Sequence, residues 1–310
     1  MKKFALTIHG GAGTITRKSM SPERETAYRK ALADALNAGF ALLEKGGTAL
    51  EAVIAASVSL EDDELFNAGK GSVFANDGTQ EMDASIMDGK TLMAGSVCAV
   101  KNIRNPILLA NAVMTKSEHV MLTGRGAAEF AALHGIKVES DDYFFSQFRH
   151  EQLKKMQQEG TSALDHNVAA EEKKFGTIGA AACDQHGNLA AATSTGGMTN
   201  KQWGRIGDSS IIGAGTYANN KTCAISATGH GEMFIRTVAA YDVSCLMEYQ
   251  DLTLEEAMSV VINDKLPAIQ GEGGMVGVDS YGNVAMLFNS EGMYRGMKDS
   301  DGNTEVAIYK

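Results

Sequence analysis

Apolar and polar positions follow two rhythms along this chain, one of strands and one of helices, without a strict βα repeat. Residues 4 to 9 form a short apolar run that reads as a strand ending in the glycine turn HGGAG. The stretch SPERETAYRKALADALNAGFALLEKGG then predicts a helix, with Ser21 as N-cap, Pro22 at the first helical position and a Gly-Gly stop. A second helix opens at TALE, where Thr48 and Glu51 can form a capping box ahead of AVIAASVSL. Further helices are predicted near 106–115, 124–133, 141–158, 232–248 and 253–265, the last opening on the capping box TLEE. Strands are predicted near 93–100, 177–183, 189–193, 222–227, 274–279 and 284–288. DQHGNLA (184–190) and DSYGNVA (279–285) share the pattern D-x-x-G-N-[LV]-A, and both read as β-hairpins turning on Gly-Asn. Helices grouped at both ends of a set of hairpins point to an α+β fold rather than a doubly wound sheet.

One change of pattern is abrupt. QQEGTSALDHNVAAEEKK, residues 157–174, mixes charge, Gly, Asn and Ala without periodicity, which marks an exposed, flexible linker over about 157–176. From Thr177 the chain becomes small and apolar, TIGAAAC, as a strand packed closely against another layer would be. A cut between Gly176 and Thr177 would leave Thr177 heading a core strand, with a hydroxyl and a free α-amine on one residue. A threonine hydroxyl is a weak nucleophile, and an α-amine, with an unperturbed pKa of about 7.7–8.0, is a base suited to neutral pH. Before the cut, the same hydroxyl can attack the carbonyl of Gly176, where glycine lets the peptide distort at low steric cost.

Composition removes several function classes. With 310 residues, 44% hydrophobic and 21% charged, the chain suits a soluble globular protein with a substantial core. Lys and Arg total 28 against 38 Asp and Glu, and no basic run is longer than a pair, so nucleic acid is not an expected partner. The apolar run after MKK is about five residues, too short for a signal-peptide core or a membrane span. Cys98, Cys183, Cys223 and Cys245 are far apart in apolar settings, which predicts buried free thiols in a reducing cytoplasm. After Gly11 and Gly13 the third position of a dinucleotide loop is Thr16, and no G-x-S-x-G elbow occurs. His9 reads as structural, His230 as a turn residue, and the 16 methionines as core fillers.

HGGAG (9–13), LFNAGKGSVF (65–74), MDASIMDG (82–89), GTIGAAACDQHGNLAAATSTGGMTNK (176–201), GRIGDSSIIGAGTYANN (204–220), ATGHGEMFIR (227–236) and NSEGMYRG (289–296) occur in this order along nearly the whole chain. Together they resemble the plant-type L-asparaginase/isoaspartyl peptidase family. The resemblance implies a single-domain N-terminal-nucleophile hydrolase with a four-layer αββα sandwich. It further implies a precursor that cleaves itself between Gly176 and Thr177 into an α subunit (1–176) and a β subunit (177–310), and a homodimer of αβ units.

By position, the resemblance makes Thr177 the nucleophile and Thr195 the second threonine whose hydroxyl contacts it. It makes Arg205 and Asp208 the pair for the substrate's α-carboxylate and α-amine, as a zwitterion requires. Taken without their neighbours, those two residues would read as a surface ion pair, worth about 0–1 kcal/mol. Thr228 and Gly229 match the oxyanion donors, Gly231 the lining of the amine pocket, and Asn67 a residue near the nucleophile and the cleavage site. Where many bacterial members have threonine, this chain has His230; histidine also occurs in the family. A sodium ion is implied as well, on the backbone carbonyls of Leu60, Glu61, Asp63, Phe66, Ala68 and Lys70. The implied activity is hydrolysis of L-asparagine and β-aspartyl dipeptides. Alternatives left open are a glycosylasparaginase-type amidase and a non-processing small-molecule binding protein of the same fold.

Overall fold

The computed structural model describes residues 3–159 and 174–310, so most of the predicted linker, residues 160–173, lies outside the described residues. The described strands are β1 (Ala5–Gly13), β2 (Met82–Asp88), β3 (Ala94–Val100), β4 (Met121–Thr123), β5 (Lys174–Phe175), β6 (Ile178–Cys183), β7 (Leu189–Thr195), β8 (Thr216–Ala218), β9 (Cys223–Gly229), β10 (Gly273–Asp279), β11 (Val284–Phe288), β12 (Gly292–Asp299) and β13 (Thr304–Tyr309). The helices are α1 (Pro22–Glu44), α2 (Ala49–Glu61), α3 (Pro106–Lys116), α4 (Gly124–Leu133), α5 (Asp141–Phe144), α6 (Gln147–Gln158), α7 (Gly231–Thr237), α8 (Ala239–Gln250) and α9 (Leu254–Ser259). None of them is long and apolar enough to cross a membrane.

Local chemistry sets most of these boundaries. The Ser21 side chain accepts the Arg24 N–H at the start of α1, and both predicted capping boxes, at Thr48 and Thr253, are formed. The predicted helix 141–158 is two helices, α5 and α6, parted by extended backbone at Phe145 and Ser146. The one predicted over 232–248 breaks at Val238, whose φ is +51°. The helix predicted over 253–265 widens after α9 into a π turn, Val260–Lys265. β1 does not stop before HGGAG; it runs through it, absorbing the glycines in a bulge between His9 and Gly11. The hairpin loops turn on more than Gly-Asn. In each, one carboxylate oxygen of the first Asp accepts N–H groups two and four residues on, and the other takes the Asn amide. A third copy, Asp299 to Asn303, joins β12 and β13 in the same way.

The strands form two sheets. The larger runs β13-β12-β1-β6-β7-β2-β3-β4, with β5 also pairing β1; the smaller runs β11-β10-β9-β8. All pairs are antiparallel except β3 with β4. Helices α1, α2 and α3 lie on one face of the larger sheet, the smaller sheet packs on its other face, and α8 and α9 cover the smaller sheet. β6 and β7 are therefore buried on both sides, and their alternate residues divide accordingly. Ala180, Ala182, Ala190 and Ala192 join the core under the helices, whereas Ala181, Cys183, Leu189 and Ala191 meet Ala224 and Val278 of the smaller sheet. Small side chains are needed there because the sheets approach closely. A Cβ on Gly179 would come within 1.9 Å of Ser226 Oγ.

Candidate active site

The two-residue period of β6 and β7 places Thr177 and Thr195 on the face turned toward the smaller sheet, since Ile178 pairs with Ser194 and Gly179 with Thr193. Thr177 is the residue just ahead of β6 and Thr195 the last of β7; both are buried. Thr177 Oγ1 donates to Thr195 Oγ1 at 3.2 Å, and Thr195 Oγ1 donates to the carbonyl of Gly176 at 3.0 Å. The same carbonyl accepts Asn67 Nδ2 at 2.8 Å. Asn67 is itself fixed, because its Nδ2 also donates to Gly197 O and its Oδ1 accepts the Val73 N–H. The carbonyl between Gly176 and Thr177 thus sits between two donors, with the Thr177 hydroxyl beside it.

Behind Thr177 runs a chain of buried polar groups that sequence reasoning did not find. Thr177 O accepts His9 Nδ1 at 3.1 Å, so that nitrogen carries the ring proton and Nε2 accepts from Ser226 Oγ at 2.9 Å. Thr193, Thr216 and Ser85 continue the chain at 2.6, 2.6 and 2.8 Å. Burial holds His9 neutral, pushing its pKa down to about 3.

On the far side of the cleft lie Arg205, half-buried, and Asp208, buried, rather than on the open surface. They are not hydrogen-bonded to each other. Arg205 instead gives Nε and Nη2 to the two carboxylate oxygens of Glu232, at 2.7 and 2.8 Å. Burial alone would raise Glu232, but this guanidinium draws it below the usual carboxylate range. Asp208 Oδ2 is buried without a hydrogen-bond partner, and desolvation pushes this carboxyl up to about 7 against the pull of Arg205. Gly231 is in contact with both: a Cβ there would lie 2.8 Å from Asp208 Oδ1 and 2.9 Å from Arg205 Nη2. Gly229 lines the cleft, with φ +155°, whereas Thr228 is fully buried and its Oγ1 accepts the Ala12 N–H at 3.3 Å. His230 Nε2 lies 3.4 Å from Glu232 Oε2. Glu232 is within a quoted motif, but no local spacing links it to Arg205; only the fold brings α7 against that loop.

The last two residues of α2 and the loop after it carry the six carbonyls expected to hold sodium. The loop folds tightly over Gly69 and Gly71, whose added Cβ atoms would meet Glu61 O at 2.4 Å and Phe66 O at 2.0 Å. Carbonyls crowded onto a Gly-Lys-Gly turn are hard oxygen donors, which suits an alkali cation, and no group of three or more His, Cys, Asp or Glu among the described residues could hold a metal. The same corner is tied to β7, which ends in Thr195, and to the start of α3, since Glu61 Oε1 accepts Ser194 Oγ and the Ile107 N–H.

Comparison with known proteins shows the family. The isoaspartyl peptidase of Salmonella typhimurium is 51% identical over the whole of both chains. That of Escherichia coli is 49% identical over all of this chain and 97% of its own. The isoaspartyl peptidase/L-asparaginase of Homo sapiens is 41% identical over 94% of this chain and 92% of its own. The asparaginase family model matches residues 2–308, and the chain belongs to that family.

Proposed function

We propose that this chain is a self-processing threonine hydrolase that releases L-aspartate from β-aspartyl dipeptides and L-asparagine. The observation that carries the reading is the Gly176 carbonyl, held by Asn67 Nδ2 and Thr195 Oγ1 beside the Thr177 hydroxyl. In self-cleavage Thr177 Oγ attacks the Gly176 carbonyl carbon, and the two donors stabilise the oxyanion that forms. The C–N bond breaks, the acyl group moves to Oγ, and water hydrolyses the ester. The products are residues 1–176, ending in a carboxyl, and residues 177–310, starting with the Thr177 amine.

In the mature enzyme that amine accepts the hydroxyl proton as Oγ attacks the side-chain carbonyl of the substrate. Asp208 meets the substrate ammonium and Arg205 its α-carboxylate, through the edge of the guanidinium that Glu232 does not occupy. The Gly229 N–H and the Thr228 hydroxyl, which accepts the Ala12 N–H and keeps its own proton to give, are the donors we assign to the oxyanion; such donors are worth about 2.7–4 kcal/mol each. Ammonia or an amino acid leaves with the proton, and water then frees aspartate. Sodium on the Leu60, Glu61, Asp63, Phe66, Ala68 and Lys70 carbonyls would supply a fixed charge that holds the loop bearing Asn67.

We place the whole chain in one domain, a four-layer αββα sandwich. That arrangement is supported by helices on one face of the larger sheet and on the outer face of the smaller. Cys98, Cys183 and Cys223, all buried, and half-buried Cys245 form no disulfide among the described residues, which suits a reducing cytoplasm.

The test is a denaturing gel with intact-mass analysis. Wild type should give fragments 1–176 and 177–310, Thr177→Ala should stay full length, and Asn67→Ala should process about 100- to 1,000-fold more slowly, as for loss of one oxyanion donor. Cutting of Thr177→Ala at the same bond would overturn the intramolecular mechanism.

A further inference from the structure

The cleft that holds Thr177 has a second charged end. Arg24 of α1 and Arg149 of α6 line it, and the Phe148 ring lies between them, its centre 4.8 Å from the Arg24 guanidinium and 5.6 Å from that of Arg149. Arg149 donates Nε to Gly71 O at 3.1 Å and Nη1 to Gln152 Oε1 at 3.3 Å; Arg24 rests on the Phe148 and Tyr28 rings. Neither arginine meets a carboxylate among the described residues. Among the described residues the one carboxylate lining this cleft is Asp208, at the other end. Arg205 at the other end is paired with Glu232, whereas Arg149 is bonded only to the neutral Gly71 carbonyl and Gln152 amide. Tyr294 also lines the Arg149 end, and its hydroxyl is buried without a hydrogen-bond partner. Two like charges beside an unused donor, with no carboxylate against them among the described residues, form a receptor for a planar anion.

We infer that this end binds the free α-carboxylate of the leaving amino acid, which makes Arg149 and Arg24 specificity-determining residues for β-aspartyl dipeptides. The inference rests on the reading that Thr177 attacks a β-aspartyl amide. With the aspartyl end anchored at Arg205 and Asp208, the leaving group must extend past Thr177 and Gly176 toward Arg149, Arg24 and Phe148. The leaving amino acid of a dipeptide ends in a carboxylate, and its side chain can lie on Phe148 and Ile15, which also line the cleft. Ammonia from asparagine reaches none of these groups, and a neutral sugar offers them no charge.

The experiment measures kcat/KM of the processed enzyme for β-Asp-Leu, for its C-terminal amide and for L-asparagine. The variants are Arg149→Met, Arg149→Lys and Arg24→Met. Wild type should prefer the free acid to the amide by about 10- to 100-fold, the worth of a hydrogen bond to a charged group. Both methionine variants should shrink that ratio through KM, and Arg149→Lys should keep part of it. Arg24→Met separates recognition from folding, because its guanidinium is held only by ring faces among the described residues. Equal wild-type turnover of acid and amide, with asparagine hydrolysed, would overturn the carboxylate site and leave the Thr177 reading standing. A ratio unmoved in both methionine variants would also overturn it. Failure of wild type on all three substrates would overturn the Thr177 reading itself.

Discussion

Asp208 combines an unpartnered buried oxygen with a pKa pushed up to about 7, and both follow from withdrawing a carboxylate from water before its cationic partner arrives. A carboxyl whose folded pKa lies above its unfolded value, near 3.9, destabilises the fold as pH rises past the unfolded value, and the cost is complete above about 7. Asp208→Asn should therefore raise Tm at pH 8, with the gain fading toward pH 4, as differential scanning fluorimetry across that range would show. The same group must be ionised to hold an ammonium, so wild-type kcat/KM should fall as pH drops through about 7. N-acetyl-β-Asp-Leu, which has no ammonium, should be nearly inert at any pH. Equal Tm for Asp208→Asn and wild type at pH 8 would count against a stored cost at this site. Thr177, Asn67, Thr195, Arg205 and Asp208, which line one cleft, could be singled out in sequence because each sits in a long motif. Glu232, Arg24 and Arg149 could not, because their roles depend on distant segments that only tertiary packing brings together.

Elements were legible where they announce their own ends. Ser21, Thr48 and Thr253 cap helices through side-chain hydrogen bonds made within one turn, so α1, α2 and α9 start where the sequence places them. β2, β12 and β13 were missed because their polar residues are satisfied by partners far along the chain. Asp83 Oδ1, for example, accepts the Ala99 N–H, and Ser85 Oγ donates to Ser209 O. The polar chain from Ser85 through Ser226 to His9 is the extreme case: it ties β2, β7, β8 and β9 to β1 and ends on the carbonyl of Thr177. His9 is neutral when folded, with a pKa lowered to about 3, so its contribution is full above the unfolded value near 6.5 and is lost as pH falls below it. Between pH 4 and 6.5 this opposes Asp208, whose cost shrinks over the same range, so single variants are needed to separate them. Ser226→Ala leaves His9 Nε2 without its donor and should cost about 1–3 kcal/mol, read as a lower urea midpoint at pH 8. His9→Gln should flatten the loss of stability below pH 6.5. A variant as acid-sensitive as wild type would show that another group controls the transition.

At the scale of the molecule, the proposed cut falls between interleaved halves. Residues 177–310 supply β6 and β7 to the middle of the larger sheet and β12 beside β1, while residues 3–159 supply β1 and β2 on either side of the β6–β7 pair. β1 pairs with β6 and β12, and β7 with β2, so the hydrogen-bonded ladder crosses from one fragment to the other three times. Breaking the chain at 176–177 removes none of these pairings; residues 177–310 keep the smaller sheet whole, but neither fragment can build the larger sheet alone. The halves should therefore stay together through native chromatography and part only in denaturant, and either half expressed alone should fail to give a cooperative unfolding transition. The family resemblance adds a homodimer of such αβ units, with a native mass near twice 32.8 kDa. Multi-angle light scattering on the processed enzyme decides both points. One peak near the doubled mass, resolving into two bands only on a denaturing gel, is the expected result. A peak at 32.8 kDa would remove the dimer while leaving the shared sheet intact, and separation of the fragments without denaturant would contradict the shared sheet itself.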